Sequence, residues 1–526
     1  MPPVVIVGAG PVGLTLALRL ADLGVASRVL EAGPRLRGEG SKALCMQRET
    51  LESWSRLGFG EEVAARGVAW ALGRTYYRGR ELFQTRFPAV GREHFPPFVN
   101  VSQTEVERLM VAHAEASPLV ELAWEHRVAG LSRDGDEVAL AIETPGGTTS
   151  VRGAWVVAAD GSRSAVRDLL GIGFPGHSHQ DRFLIADIRA DLPFPEERRF
   201  FFDPPWNPGR TVLVHPQPDS VWRIDWQVPP DFDLDAERES GRLDERVRRI
   251  VGEADWELVW LTVYRFHQRV AERFRDGRVL LAGDAAHLMS PFGARGLNSG
   301  VGDAENLAWK LALVLRGAAP GELVETYAVE RRAAALENLA VTDATMRFIV
   351  PPGRRRLLVR NAVLRGSRWS RRLRTRVDSG RLAEPHVYTT SPIVELAERA
   401  AGPAPGAVAP DGPCTVLSPD GSVSRLRQLV GGQVLAVVLA PSGAHVRALV
   451  DAVPGDVPLV VVVPPDSMDP EHGHGMRGEG HGVDPPGRTA RAVVVRDDQS
   501  VLQRAYAPDG LPPAGRLFVV RPDAHL

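Results

Sequence analysis

Val4 to Val7 is an unbroken apolar run, the pattern of a strand buried on both faces. Pro11 suits a first helical turn, the helix is expected to run to about Leu23, and residues 25–31 form the next strand. The pattern predicts a strand–helix–strand unit. It returns at Trp155-Val156-Val157-Ala158-Ala159, where Asp160-Gly161 turns the chain and Ser162 is placed to cap a following helix. A third strand is expected over 278–282. The long helix after it should start near Asn298 and stop at Arg316-Gly317, with Leu307, Leu311 and Leu315 on one face.

Between these parts the period shifts to two. Residues 183–188, 199–202, 211–215 and 221–228 read as short strands, and Pro218-Asp219-Ser220 reads as a hairpin turn. Alternation places Trp222, Ile224 and Trp226 on one face, expected to be the apolar wall of a substrate chamber. Residues 354–376 are dense in arginine interleaved with Leu357, Leu358, Val359 and Leu364, the pattern of a solvated helical face. A Pro/Ala/Gly-rich stretch over 401–413 reads as a linker. Apolar runs at 434–439, 457–463 and 492–495 then predict a separate small α/β domain.

A chain of 526 residues exceeds what one core usually organises, so two or three units are expected. Net charge of -2 and a 44% apolar fraction describe a globular protein with no global field for nucleic acid. The apolar opening lacks a basic start and carries Arg19 and Asp22, so it is expected to be strand, turn and helix rather than a signal peptide. No later run reaches the ~18 apolar residues of a membrane span. Cys45 and Cys414 stand far apart, without disulfide-framework or metal-ligand spacing, so no metal and a cytoplasmic location are expected.

Within the first unit, Gly8-Ala9-Gly10-Pro11-Val12-Gly13 joins strand to helix. Such glycines permit a tight turn, close approach of backbone to a pyrophosphate and close helix packing, while the helix N-terminus offers N–H groups to phosphate oxygens. Glu31, with Ala32 beside it, ends the second strand where an acid accepts ribose hydroxyls. Gly473-His474-Gly475-Met476-Arg477-Gly478 repeats the spacing but follows Pro464, Pro465 and Pro470 and precedes no helix. It reads, with His472, His474 and His481, as a polar loop. Gly283-Asp284-Ala285-Ala286-His287 is sharper, because a carboxylate at a strand end can accept a sugar-chain hydroxyl. Pro291-Phe292-Gly293-Ala294-Arg295-Gly296-Leu297-Asn298 then aims a helix N-terminus, with the charge of Arg295, at an electron-accepting ring. The first motif alone would hold any dinucleotide; with Asp160-Gly161 and Gly283-Asp284 in this order it points to FAD.

Over roughly residues 1–350 these motifs resemble the single-component (group A) FAD-dependent aromatic hydroxylases. Gln103-Thr104-Glu105-Val106 is similar to that family's cofactor-contacting glutamine, and 293–298 to its flavin-ring loop. Asp160-Gly161 resembles the turn linked with both FAD and the nicotinamide cofactor. Arg223 and Gln227 resemble an Arg-x-x-x-Gln strand motif that reaches the flavin. Lys42 stands where the family commonly has arginine against the FAD phosphates, keeping the charge without the bidentate fork. The resemblance implies an α/β fold: a Rossmann-like FAD domain (1–75, 99–180 and 277–350) with an inserted mixed β-sheet substrate domain (76–98 and 181–276). A helical connection (351–400) and a thioredoxin-like C-terminal α/β domain (401–526) without Cys-x-x-Cys would follow.

It further implies that NAD(P)H reduces FAD and that the reduced flavin traps O2 as a hydroperoxide, which attacks a phenolic or polyketide-like aromatic ring. His215 is one candidate base, although packed histidines are common, and no residue is assigned as catalytic. Competing readings are Baeyer–Villiger or epoxidising chemistry on the same fold, a flavin reductase, and a non-catalytic binding protein. Oligomeric state stays open, with a homodimer as one expectation.

Overall fold

The computed structural model describes residues 2–36, 43–87, 94–377, 385–394, 403–411, 413–416, 423–429, 435–439, 459–463, 492–497, 502, 506 and 516–526. Lys42 and the histidine-rich loop at 472–481 lie outside the described residues. The chain divides into two compact units, Met1–Val90 with Phe95–Glu384, and Gly91–His94 with Pro385–Leu526.

In the first unit the fully buried run Val4–Val7 sits inside a six-stranded sheet. It pairs in parallel with Ser27–Leu30 on one side and Trp155–Ala158 on the other, and Val120–Ala123 and Val279–Leu281 extend the sheet outward. The helix Pro11–Asp22 buries Leu14, Leu16, Ala17 and Leu20 against it. The helix after the third strand runs Arg295–Leu315, starting three residues before the expected Asn298. Gly293 (φ 98°) and Ala294 (φ 52°) take left-handed conformations that turn the chain directly into it. Ser164, not Ser162, caps the helix Ala165–Leu169: its Oγ accepts from Arg167 N at 3.0 Å. Gly161 (φ 80°) opens a wider turn than expected, which shifts the cap by two residues.

A seven-stranded sheet forms the rest of this unit, in the order Trp256–Tyr264, Arg182–Ala190, Val221–Val228, Thr211–Pro216, Arg198–Phe202, Leu72–Tyr77 and Arg80–Arg86. Four of these match the expected strands; the other three lie outside the strands that the sequence pattern predicts. Trp222, Ile224 and Trp226 do share a face, but they bury it against Leu243, Val247 and Val251 of the helix Arg242–Val251. The expected tryptophan wall therefore faces the sheet's own core. The arginine-rich stretch forms the helices Arg354–Ser367 and Arg371–Val377; most of its arginines are solvated, while Arg360 is buried and donates to Ile349 O at 3.0 Å.

The second unit holds a six-stranded mixed sheet whose described core includes Cys414, Val437, Val460, Val462, Leu502 and Tyr506. Cys414 is 1% exposed, as a packing role requires. Among the described residues no helix is long and apolar enough to cross a membrane, and no cluster of His, Cys, Asp and Glu could hold a metal.

Candidate active site

The first unit contains a cavity of about 450 Å³ bounded by three walls. Gly10, Pro11 and Val12, at the N-terminus of the first helix, contribute one wall. The turn beneath is fixed by sterics. A Cβ on Gly8 would lie 2.4 Å from Ala159 O, and one on Gly13 would lie 2.1 Å from Gly8 O. A Cβ on Gly10 would meet nothing, so backbone is laid bare to the cavity. Glu31 ties this turn together, its Oε2 accepting from Ala9 N at 3.0 Å and its Oε1 from Gly33 N at 2.9 Å. Gln103 lines the cavity as well; its Oε1 accepts from Ala43 N and its Nε2 donates to Glu107.

The second wall is the loop from Asp284 through Pro291 to the first turn of the helix Arg295–Leu315. Asn298 staples that turn to the strand Cys45–Gln47 and to the helix Arg48–Arg56 after it: its Oδ1 accepts from Gln47 N at 3.0 Å and Thr50 Oγ1 at 2.7 Å, and its Nδ2 donates to Cys45 O. Arg295 is nearly buried and donates to Asn338 Oδ1. Beneath the loop, fully buried Asp303 accepts from Gly283 N at 2.9 Å and Arg331 Nε at 2.7 Å, with His287 Nε2 at 2.8 Å.

The third wall is the sheet face opposite the tryptophans. Strand register sets Trp260, Asp187, Arg223 and His215 in one row, and Thr262, Ile185, Asp225, Leu213 and Phe200 in the next. Arg223 grips Asp187 bidentately, Nε to Oδ1 at 2.8 Å and Nη2 to Oδ2 at 2.7 Å. Gln227 lies off the cavity, its amide held between Asp181 and Thr211. Burial, with the guanidiniums of Arg198 and Arg223 near, pushes the His215 imidazole down to about 3. Burial pushes the Asp225 carboxyl up to about 7, with Arg223 opposing and Asp187 reinforcing the rise. Cys45 is pushed up to about 12, again by burial, against the pull of Arg198. All three residues are half-buried and line the cavity.

Of the residues expected at the site, Gly10, Pro11, Val12, Gln103, Gly161, Arg223, Asp284, Pro291, Arg295, Gly296, Leu297 and Asn298 meet at this one cavity. Gly8, Gly13, Glu31, Asp160 and Gly283 stand behind it, shaping turns, and Ala32 is exposed. Trp70, Phe98, Arg198, Asp225 and Trp260 also line it, beyond the residues expected from the sequence. Arg223 and Asp225, polar at alternate positions of an otherwise apolar strand, were the available signal for which face is functional.

The protein part of the site fits FAD. The helices Pro11–Asp22 and Arg295–Leu315, which open on the cavity, lack a capping side chain and carry no acid in the first turn, so their N–H groups and positive ends stay available to a pyrophosphate and a ring that gains negative charge. Fold and site define a dinucleotide-binding protein whose cofactor cleft opens onto a sheet-walled chamber. The chain belongs to the FAD binding domain family, whose model matches residues 1–342. It is 32% identical over 369 residues to the 3-(3-hydroxy-phenyl)propionate/3-hydroxycinnamic acid hydroxylase of Mycolicibacterium smegmatis, a match covering 69% of this chain and 64% of that relative. It is 36% identical over 337 residues to the 6-methylpretetramide 4-monooxygenase of Streptomyces rimosus, covering 63% of this chain and 59% of the relative. The chain thus spans less than two thirds of the length of these relatives. The solved structure of the OxyS anhydrotetracycline hydroxylase from Streptomyces rimosus superposes with a TM-score of 0.69 at 28% identity, covering 100% of this chain and 94% of that one.

Proposed function

We propose that this protein is an FAD-dependent monooxygenase that consumes NAD(P)H and O2 to hydroxylate a phenolic or polyketide-like aromatic compound. The observation that carries it is the single cavity with two open helix N-termini on one side and an aromatic, titratable sheet face on the other. The relatives suggest the substrate classes: 3-(3-hydroxy-phenyl)propionate or 3-hydroxycinnamic acid and 6-methylpretetramide are named for them, and an aromatic ring is the natural occupant here. Bound FAD supplies the oxygen activation.

The chain's own residues do the rest. Gly10, Pro11 and Val12 would hold the pyrophosphate, and Gly296, Leu297 and Asn298 the flavin ring. The stack of Trp70 on Phe98, centroids 4.7 Å apart, with Phe200, Phe292 and Trp260, gives flat apolar surfaces that orient an aromatic ring and keep water from the reacting atoms.

The test is a screen of phenols and polycyclic aromatics for stimulated NAD(P)H consumption by the FAD-loaded protein, with product mass measured under labelled dioxygen. A product carrying one labelled oxygen on the ring is expected. Consumption that no aromatic compound stimulates, or product without label, overturns the reading.

A further inference from the structure

We propose that Asp225 is the catalytic base of this site, taking the proton from the substrate's phenolic hydroxyl; the inference rests on the hydroxylase reading above. Of the other acids and bases at the cavity, Asp284 belongs to the cofactor loop and His267 has its Nδ1 2.7 Å from Ser178 Oγ. Asp187 stands across the ladder from Arg223, which takes both its oxygens. Glu107 is engaged by Gln103, and the Cys45 thiol is far too weak an acid to cycle near neutrality. His215 has an open ring nitrogen, Nδ1, yet Arg198 and Arg223 and its burial all oppose the imidazolium that accepting a proton would create.

Asp225 differs from each of them. It lies between Ile185 and Leu213 on the neighbouring strands, beside the Arg223 side chain of its own strand, and its Oδ1 is buried without any hydrogen-bond partner. Around it stand Arg223, Asp187, His215 and Arg198, with Thr262 next in its row and Tyr264 further along that strand. A buried acceptor with no donor is costly until a ligand hydroxyl supplies one. Burial also brings this carboxyl to about 7, where a base is efficient at neutral pH.

The step balances simply. The phenolic O–H bond breaks and its proton bonds to Asp225, leaving a phenolate whose ring carbons are richer in electrons. After one atom of O2 has bonded to the ring carbon, that carbon's hydrogen leaves as a proton to the water formed from the second atom, its electron pair restores the aromatic ring, and Asp225 returns its own proton to the phenolate oxygen. No electrons pass through Asp225, and FAD, NAD(P)H and O2 account for the oxidation.

The test compares the parent with Asp225→Asn and His215→Asn in the FAD-loaded protein. First, binding of an un-ionised phenol to the oxidised protein is followed across pH by tryptophan fluorescence, without NAD(P)H. The parent should show a break near pH 7, retained in His215→Asn and lost in Asp225→Asn. Second, with the best phenol from the screen, Asp225→Asn should lower kcat about 100-fold or more with KM little changed. A nitrophenol supplied above its own pKa, already ionised, should restore most of that loss. Persistence of the break in Asp225→Asn, its loss in His215→Asn, or equal losses on ionised and un-ionised phenols overturns the proposal. Phenol binding with the Asp225-dependent break but without stimulated NAD(P)H oxidation instead overturns the hydroxylase reading while leaving Asp225 as the phenol-reading group. No binding of any phenol overturns both.

Discussion

Replacing Asp303 by alanine should loosen the cofactor loop and destabilise the first unit together. The carboxylate is fully buried and accepts from the Gly283 N–H and the Arg331 guanidinium, with the His287 imidazole also in hydrogen-bonding range. Burial alone would raise its pKa, yet the charges of His287 and Arg331 win and hold it below the usual carboxylate value. Alanine would leave a buried guanidinium without its carboxylate and the Gly283 amide without an acceptor. Removing one partner of such a pair costs about 3–5 kcal/mol. With an unfolding entropy of about 2.1 cal/mol/K per residue, a unit of several hundred residues should lose roughly 4–6 °C.

Thermal unfolding with and without excess FAD is the assay. FAD should raise the midpoint of the parent by mass action, and the increment should shrink in Asp303→Ala because Gly283 and Asp284 lose their anchor. The sign of the pH dependence follows from the lowered pKa. The carboxylate's contribution is complete above its unfolded value of about 3.9 and is lost as pH falls through the folded one, so the gap between parent and variant should be level from neutrality to about pH 5 and close below pH 4. A variant that unfolds within about 1 °C of the parent, with an unchanged FAD increment, would refute the reasoning.

Two glycine substitutions separate folding from cofactor binding. Gly10→Ala meets no atom and should fold normally yet bind FAD about tenfold or more weakly, whereas Gly13→Ala drives a Cβ to 2.1 Å from Gly8 O and should lower both stability and affinity; equal effects in thermal unfolding and FAD titration would refute the distinction. Cys45, with its thiol pushed up to about 12, should react with iodoacetamide at pH 8 roughly a thousandfold more slowly than a free cysteine, and rapid labelling in peptide mass mapping would contradict its burial. Lys310→Met removes the cation 2.7 Å from buried Glu330, which also accepts from Asn306, and should cost about 3 kcal/mol in denaturant unfolding; a neutral result would mean that methionine packing offsets the lost charge.

The cofactor half of the cavity was legible because it is made mostly by backbone. Where a Cβ cannot fit at Gly8 or Gly13, the requirement writes itself into the sequence as glycine, and the flanking apolar runs identify the strand and helix that it joins. Leu72–Tyr77 and Trp256–Tyr264 were not legible, since they join the sheet through strands distant in sequence, and Arg80–Arg86, a polar edge strand, pairs only with Leu72–Tyr77.

The substrate half failed for a different reason, and the failure locates the chemistry. In the strand Val221–Val228 the period of two was read correctly, but period alone does not say which face looks inward. Choosing the bulkier face assumed that an aromatic ligand is met by tryptophans, whereas Trp222 and Trp226 are consumed by the sheet's own core. Packing of that core needs no charge. Arg223, Asp225 and, across the ladder, Asp187 and His215 occupy the other face, where four titratable groups would be costly in a merely structural sheet. Burying them around a cavity makes physical sense only if a polar group of an otherwise apolar ligand comes to rest among them, so the strand's least favourable residues for folding are its most informative ones for function.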